Sequence, residues 1–246
     1  MYFVNPVATS LCIAHRGASV EAPENTLAAF RRALEIGVDG IELDVQTTRD
    51  KVAVVFHDDS LERLTEAKGK ISELTAAKLK AFLVDGEPIP TLFDVLKLIR
   101  GRAHVQIELK QGVLLPPVLK AIAQARASAW VTLASFEHDL LLKAVALAPK
   151  LPRMLITDGL RSKIPPETAA LKILGTMRAV AASGISINYK AITAPRFVEV
   201  IHQHGVPVWC WTVNDARTMV RLAHWGVDAI LSDNPGRLRT ALGRKK

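Results

Sequence analysis

Histidine and charged residues follow several short apolar runs in the first half of this 246-residue chain. His15 and Arg16 come directly after one such run, Glu42 and Asp44 alternate with apolar residues in another, and His57 ends a third. Histidine exchanges a proton near neutral pH, so His15 and His57 are candidates for a general acid and a general base.

Acidic residues at alternating positions indicate a metal site. Glu42 and Asp44 share one face of a predicted strand, and Glu108 and Lys110 share one face of another. Three carboxylates repel one another unless some are protonated or a cation lies among them. Oxygen ligands suit a hard divalent cation, Mg²⁺ or Ca²⁺. We expect Glu42, Asp44 and Glu108 to hold that cation, with Arg16 and Lys110 contacting an anionic oxygen, which together outline a phosphate site.

These residues need a scaffold that brings distant parts of the chain together. Apolar runs too short for helices alternate with stretches of helical periodicity, which indicates buried parallel strands joined by helices. Without the run Val52–Phe56 there are about eight such units, the number that a (β/α)8 TIM barrel requires. The later strands are expected at 131–135, 153–157, 184–188, 207–212 and 228–232. In a barrel of this kind, residues at the C-terminal strand ends converge on one mouth.

The run Val52–Phe56 follows the second strand too closely for a parallel crossover, so we predict an accessory hairpin strand there. A turn centred near Arg49–Asp50 would set His57 opposite Glu42. A short, reduced insertion is expected at about residues 60–100. It would contain a helix at Ile71–Leu83, a loop at Gly86–Pro90 and a helix from Thr91 to Ile99.

Composition favours a single globular domain spanning residues 1–246, with 49% hydrophobic and 23% charged residues. The formal charge of +8 is scattered, apart from Arg244–Lys246, so a basic surface without a nucleic-acid partner is favoured. Cys12 and Cys210 lie in apolar runs and are expected to be buried free thiols in a reducing compartment. Met1–Ser10 lacks the features of a leader, and no apolar stretch is long enough to span a membrane. We therefore expect a cytoplasmic protein without stable membrane anchoring.

Short motifs run along nearly the whole chain in a fixed order. They are His15–Gly17, Pro23–Thr26, Gly37–Val45, Val54–Asp58 with Leu61 and Arg63, Ile89–Leu92, Ile107–Lys110, Ser135–Phe136, Trp211–Asn214, Gly226–Asp228 and Asp233–Pro235. In these motifs and their spacing, the sequence resembles the glycerophosphodiester phosphodiesterase family.

The resemblance implies a barrel enzyme that uses a divalent cation to hydrolyse glycerophosphodiesters, giving sn-glycerol 3-phosphate and an alcohol. By this resemblance, the metal ligands are Glu42, Asp44 and Glu108, and the catalytic histidines are His15 and His57. The phosphate contacts are Arg16 and Lys110, and the aromatic residue near the glycerol is Trp211. The chain is similar in length to the short cytoplasmic bacterial members. Its segment Leu79–Asp85 is shorter than the family's usual insertion and lacks the aromatic-rich loop.

Several alternatives stay open at this level. Either histidine could be the acid, and the nucleophile could be water or the substrate's own 2-hydroxyl, which would give a cyclic phosphate. The expected partner is a small glycerophosphodiester, but a lysophospholipid is a second candidate, and a non-catalytic anion-binding barrel is a third. Oligomeric state leaves no mark in the sequence.

Overall fold

The computed structural model describes residues 10–160 and 164–244. Within them lie eleven strands: β1 Leu11–His15, β2 Gly40–Thr47, β3 Ala53–Val55, β4 Leu83–Val84, β5 Glu87–Pro88, β6 His104–Leu109, β7 Val131–Ser135, β8 Arg153–Thr157, β9 Gly184–Asn188, β10 Val208–Trp211 and β11 Ala229–Ser232. The expectations for Met1–Ser10 and for Arg244–Lys246 fall mostly on residues 1–9 and 245–246, which lie outside the described residues.

The same ranges contain nine α-helices: α1 Leu27–Ile36, α2 Ala76–Leu79, α3 Leu92–Ile99, α4 Leu115–Gln124, α5 His138–Leu147, α6 Pro166–Ala179, α7 Pro195–His202, α8 Ala216–His224 and α9 Pro235–Ala241. Side-chain hydrogen bonds cap the N-termini of several of these helices. The Thr26 hydroxyl, for example, accepts a hydrogen bond from the Ala29 amide at the start of α1, where the first backbone N–H groups have no helical partner.

Eight of the described strands, all except β3, β4 and β5, form a closed parallel barrel. Closure comes from β1, which pairs in parallel with both β2 and the last strand, β11. Apolar side chains fill the barrel interior, among them Ile13, Met154, Ile156 and Trp209, while a larger apolar layer packs the helices against the outer face of the sheet. This architecture confirms the predicted (β/α)8 barrel with one accessory strand outside the ring.

The accessory strand β3 pairs antiparallel with β2, as predicted, but in a different register. Val45 lies opposite Val55, so the hairpin is centred on Asp50 and its register does not set His57 opposite Glu42. Thr48 pairs with Val52, since the Thr48 amide donates to the Val52 carbonyl and the Val52 amide donates to the Thr48 hydroxyl, so residues 49–51 form the turn. The predicted register was therefore wrong by one residue.

The segment between β3 and α3 also differs from the expectation of one helix at Ile71–Leu83. A 3₁₀ turn, Ile71–Glu73, ends where Leu74 is extended, and Thr75 then caps the separate one-turn helix α2. Part of the expected loop at Gly86–Pro90 pairs as β5 with β4. The segment packs with Val54 of β3 into a small apolar core, to which it contributes Phe56, Leu61, Ile71, Leu79, Val84 and Ile89.

Both cysteines are free and buried, as predicted. Burial raises the pKa of the Cys12 thiol to about 12, and burial also raises the pKa of Cys210. Among the described helices, none is both long and apolar enough to cross a membrane.

Candidate active site

The C-terminal end of the barrel carries a cavity of about 190 Å³. Seven of the eight residues singled out by the sequence line it: His15, Arg16, Glu42, His57, Glu108, Lys110 and Trp211. The eighth, Asp44, is buried beside them on β2. The barrel thus brings together residues that are separated by almost 200 positions, because parallel strand ends meet at one face.

Three carboxylates form a compact cluster at this mouth. Glu42, Asp44 and Glu108 each offer an oxygen, and these oxygens lie within 4.8 Å of one another. Burial, together with the charge of Asp44, raises the pKa of Glu42 to about 8. The same two causes raise the pKa of Glu108 above its ordinary value. Without nearby cations, the three carboxyl groups of the cluster are therefore not all ionised easily at the same time.

Two cations flank the cluster. Lys110 Nζ lies 2.6 Å from Glu108 Oε1 and 3.5 Å from Asp44 Oδ1, and Arg16 Nε lies 3.3 Å from Asp44 Oδ2. Burial opposes ionisation of Asp44, but Arg16 and Lys110 hold the pKa of its carboxyl below the ordinary value. Asp44 is thus the carboxylate of the cluster that remains charged most readily.

Asn25 fixes the position of Asp44 from the loop after β1. Its amide donates to Asp44 Oδ2 at 2.9 Å, and its carbonyl accepts from the Asp44 amide at 3.3 Å. Asn25 is itself buried and has a φ of 59°, a left-handed conformation that asparagine tolerates better than most residues.

Several buried polar atoms around the cavity lack a hydrogen-bond partner within the described ranges. They are Arg16 Nε, Glu42 Oε1, Gln106 Oε1, Ser186 Oγ and Trp211 Nε1, and each belongs to a residue that lines the cavity. Buried polar groups are costly without a partner, so this arrangement suits a bound polar ligand. The free Glu42 oxygen in an all-oxygen donor set fits a hard divalent cation.

His15 is held by a residue from the opposite end of the sequence. Its Nδ1 lies 2.6 Å from Asp233 Oδ1, and its Nε2 lies 3.9 Å from Glu42 Oε2. Asp233 is fixed in turn by the Asn214 amide, at 2.6 Å. Burial lowers the pKa of His15, but the hydrogen bond to Asp233 and the charge of Glu42 outweigh it and raise that pKa above the ordinary value.

His57 lies just beyond β3, where no strand pairing fixes its orientation. The Gln46 amide of β2 donates to the His57 carbonyl at 3.2 Å and to the Asp58 carbonyl at 3.1 Å. The side chain is held by Asp58, whose Oδ1 lies 2.5 Å from His57 Nδ1. Each candidate histidine therefore has a carboxylate on Nδ1, which leaves Nε2 free to exchange a proton.

The loop after β1 turns sharply so that His15 and Arg16 both reach the mouth. Arg16 and Gly17 have φ values of 58° and 84°. A Cβ on Gly17 would lie 2.7 Å from Ala29 Cβ, so α1 packs directly against the glycine and excludes a side chain there. The Arg16 backbone amide donates to Glu42 Oε2 at 3.0 Å, which ties the loop to the acidic cluster.

An aromatic pair forms one wall of the mouth. Trp211 and Phe136 contact edge to face, with ring centroids 5.7 Å apart and an interplanar angle of 79°. Phe136 is 40% exposed, so the pair presents an apolar edge at the cavity entrance. The other five histidines, His104, His138, His202, His204 and His224, do not line this cavity.

Sequence reasoning missed the residues that orient the site, namely Asn25, Gln46, Asp58 and Asp233. Asp233 directly follows the last barrel strand, and this position is a usable signal because strand ends converge at the mouth. Asn25, Asp58 and Asp233 all lie in motifs that the sequence shares with the family, but the motifs give no indication of which atoms these side chains contact.

Comparisons with known proteins agree with this geometry. Residues 15–237 match the glycerophosphoryl diester phosphodiesterase family. A glycerophosphodiester phosphodiesterase of Caldanaerobacter subterraneus subsp. tengcongensis is 37% identical, over 92% of this chain and 95% of that protein. Another, from Bacillus altitudinis, is 31% identical over 91% of this chain and 94% of that protein.

A solved structure is similar as well. It is an Oleispira antarctica phosphodiesterase in complex with the product sn-glycerol-3-phosphate, with a TM-score of 0.86 and 28% identity. The alignment covers 96% of this chain and 97% of that one. On the family match and these relatives, the chain belongs to the glycerophosphoryl diester phosphodiesterase family.

Proposed function

We propose that this chain hydrolyses glycerophosphodiesters to sn-glycerol 3-phosphate and an alcohol, with one divalent cation, Mg²⁺ or Ca²⁺. The observation that supports this proposal most strongly is the cluster of Glu42, Asp44 and Glu108, whose oxygens lie within 4.8 Å of one another. Two histidines, His15 and His57, line the same cavity. The names of the relatives and the product bound in the Oleispira antarctica structure support this substrate class.

Glu42, Asp44 and Glu108 would hold the cation. When bound, it supplies positive charge that stabilises phosphate oxygens as negative charge develops on them. Arg16 and Lys110 add fixed positive charge at the same place, and the planar Arg16 guanidinium suits a phosphate oxygen pair. With phosphate bound, both side chains would exchange part of their contact with the carboxylates for contact with the substrate.

His15 and His57 would move the protons. Hydrogen bonding of Nδ1 to Asp233 and to Asp58 leaves each Nε2 as the exchanging atom. One histidine accepts the proton of the nucleophile, water or the 2-hydroxyl, and the other protonates the leaving alkoxide. If the 2-hydroxyl attacks, the product is a cyclic phosphate, and water must then attack its phosphorus and break the bond to the 2-oxygen to give sn-glycerol 3-phosphate. Each step contributes on the order of 10²–10⁴-fold to the rate.

Cavity size favours a small, deacylated substrate over a lysophospholipid. The mouth cavity, about 190 Å³, is lined by charged and polar residues together with Phe136, Ile156, Trp211 and Leu231. Trp211 is the aromatic residue that the resemblance implies near the glycerol. A second groove of about 770 Å³ lies on the segment between β3 and α3, lined by Leu64, Phe82 and Leu83 among others, and it shares no lining residue with the mouth. The larger groove is therefore separate from the mouth cavity and is not a continuation of it that would receive an acyl chain.

The remaining expectations belong to the same proposal. The chain would act as one barrel domain over residues 1–246 with a reduced insertion at about 60–100, in the cytoplasm, without a nucleic-acid partner or stable membrane anchoring. Its scattered positive charge would attract small anionic substrates to the mouth.

A substrate comparison tests the proposal. The protein is incubated with glycerophosphocholine or with lysophosphatidylcholine in the presence of Mg²⁺ or Ca²⁺, and products are identified by ³¹P NMR. We expect sn-glycerol 3-phosphate from glycerophosphocholine and much slower release of lysophosphatidate. Faster turnover of the lysophospholipid would contradict the assigned substrate class, and no hydrolysis of either with both cations would contradict the activity.

A further inference from the structure

Arg63 lies in the segment between β3 and α3, outside the mouth cavity, yet it contacts Glu24 of the loop after β1 and Asp58, the neighbour of His57. Its Nε donates to Asp58 Oδ2 at 2.5 Å, and its Nη2 and Nη1 donate to Glu24 Oε1 and Oε2 at 2.8 and 3.2 Å. A guanidinium presents donors along two edges, so one arginine can bridge two carboxylates in this way.

Each of those carboxylates holds a site residue. Glu24 Oε1 accepts from Arg16 Nη1 at 2.9 Å, and Asp58 Oδ1 lies 2.5 Å from His57 Nδ1. The contacts form one continuous chain, Arg16–Glu24–Arg63–Asp58–His57. Arg63 is its central member and the one supplied by the insertion.

Without Arg63, Glu24 and Asp58 would lose the cation that lies between them. The carboxylates are 19% and 22% exposed, so their mutual repulsion is only partly screened by water. Gln46 would still hold the His57 backbone, but nothing else in the described contacts orients the second oxygen of Asp58. The imidazole would then lose its fixed orientation while the barrel stays intact.

We propose that Arg63 is a positioning residue that couples the orientation of His57 to that of Arg16, so that the insertion takes part in catalysis through a single side chain. This inference rests on the proposed function, because the two residues matter together only if one moves a proton while the other binds phosphate. The Arg63 side chain is 46% exposed, and ion pairs this exposed contribute little to folding. Its main effect is therefore expected on turnover and not on stability.

Arg32 provides a matched control. It also bridges two carboxylates, with Nε 2.6 Å from Glu21 Oε2 and Nη1 3.1 Å from Glu35 Oε2, and it is 43% exposed. It lies on α1 and contacts no residue of the mouth cavity in these pairings. R63M and R32M therefore each remove a similarly exposed arginine that bridges two carboxylates, one linked to His57 and one not, although the carboxylates that Arg32 contacts are the more exposed.

The test compares R63M, R32M and the unsubstituted protein in hydrolysis of glycerophosphocholine with saturating Mg²⁺ or Ca²⁺. We expect kcat to fall roughly 10- to 100-fold in R63M, since small misplacement of a catalytic group costs about that much, with a smaller rise in KM. R32M should keep the original kcat, and the thermal midpoints of both variants should be similar.

A second readout does not depend on turnover. The short His57–Asp58 hydrogen bond should give a low-field Nδ1 proton resonance, assigned by its loss in H57N, and R63M should shift or broaden it while R32M leaves it unchanged. If R63M does not fold, E24Q tests the same chain of contacts, because Glu24 contacts Arg63 and Arg16 but not His57. A His57 resonance and a kcat that E24Q leaves unchanged would then overturn the inference. An active unsubstituted protein with equal kcat and equal resonances in R63M and R32M would overturn the inference. An inactive unsubstituted protein would instead contradict the proposed function.

Discussion

His15 Nδ1 lies 2.6 Å from Asp233 Oδ1, although 218 positions separate the two residues along the chain. Closure of the barrel creates this contact, because β1 pairs in parallel with β11 and their ends meet at the mouth. A carboxylate on one ring nitrogen fixes the tautomer and the orientation of an imidazole.

Asp233→Asn should lower kcat by about 10²- to 10⁴-fold, because the amide can no longer accept the Nδ1 proton in the same way and stabilise a protonated ring. The pKa of His15 should fall as well, since Asp233 is a main cause of its rise. Steady-state kinetics and an NMR titration of His15 measure the two effects.

Asp228→Asn is the control for that substitution. Asp228 also pairs with a histidine, with His202 Nε2 at 2.8 Å from its Oδ2, but this pair does not line the mouth cavity. Equal kcat and equal His15 titration in D233N and D228N would show that Asp233 has no role in orienting His15.

His15→Ala and His57→Ala should each reduce kcat by about 10²–10⁴-fold while the protein stays folded, because each removes one proton-transfer group. Circular dichroism checks the fold and hydrolysis of glycerophosphocholine gives kcat. His202→Ala serves as a control, since His202 is 38% exposed and lies away from the mouth cavity. Near-original turnover in either site variant would refute its assignment.

The stability of the chelator-treated protein should depend on Glu42. Its pKa is about 8 in the folded protein against an ordinary value of 4.5, so the folded state binds more protons between these limits. The stabilisation of the folded state by proton binding to Glu42 is complete below about pH 4.5 and is lost as the pH rises toward 8. The thermal midpoint should therefore fall over this range in EDTA.

Glu42→Gln should reduce that fall, because the amide does not ionise. Glu108 and His15 also have raised pKa values and contribute in the same direction, so some pH dependence should remain. Adding Mg²⁺ or Ca²⁺ should restore the midpoint of the unsubstituted protein at pH 8. A thermal midpoint that rises with pH in EDTA would contradict a raised pKa of Glu42. A fall of the same size in E42Q and in the unsubstituted protein would contradict it as well.

Asn25→Ala should lower the free energy of unfolding by about 1–3 kcal/mol, since it leaves a buried Asp44 oxygen without its amide donor. Urea unfolding measures this loss. Asn188→Ala is the matched control, because the Asn188 amide also donates to an aspartate, Asp158, at 3.2 Å but in an exposed setting. A loss in N25A no larger than that in N188A would mean that the Asn25–Asp44 contact contributes little.

The parts of the fold that follow from periodicity could be predicted from the sequence. Strands such as Val131–Ser135 and Gly184–Asn188 have the predicted bounds, because a buried parallel strand is an apolar run with sharp ends. Alternation also predicts that Glu42 and Asp44 face the same way, and the structure brings both to Glu108.

Features set by individual side-chain hydrogen bonds could not be predicted in this way. The Thr48 hydroxyl accepts a hydrogen bond within the hairpin turn, whose register differs by one residue from the prediction. Thr75 caps a new helix where periodicity suggested a continuous one. The contact of Asp233 with His15 depends on barrel closure, and that of Arg63 with Glu24 depends on how the segment between β3 and α3 lies against the loop after β1. Such contacts join residues that are far apart in the sequence, and hydrophobic periodicity does not predict which distant side chains meet.

The most direct test of the central claim is the cation dependence of turnover. Protein freed of metal with EDTA and exchanged into metal-free buffer is titrated with Mg²⁺ or Ca²⁺, and release of sn-glycerol 3-phosphate from glycerophosphocholine is measured alongside Glu42→Gln and Glu108→Gln. We predict no release without cation, saturable recovery of the unsubstituted protein, and little recovery of either variant at the same concentrations. Full turnover in the presence of chelator, or recovery of both variants at the original cation concentration, would contradict a metal-dependent phosphodiesterase site at Glu42, Asp44 and Glu108.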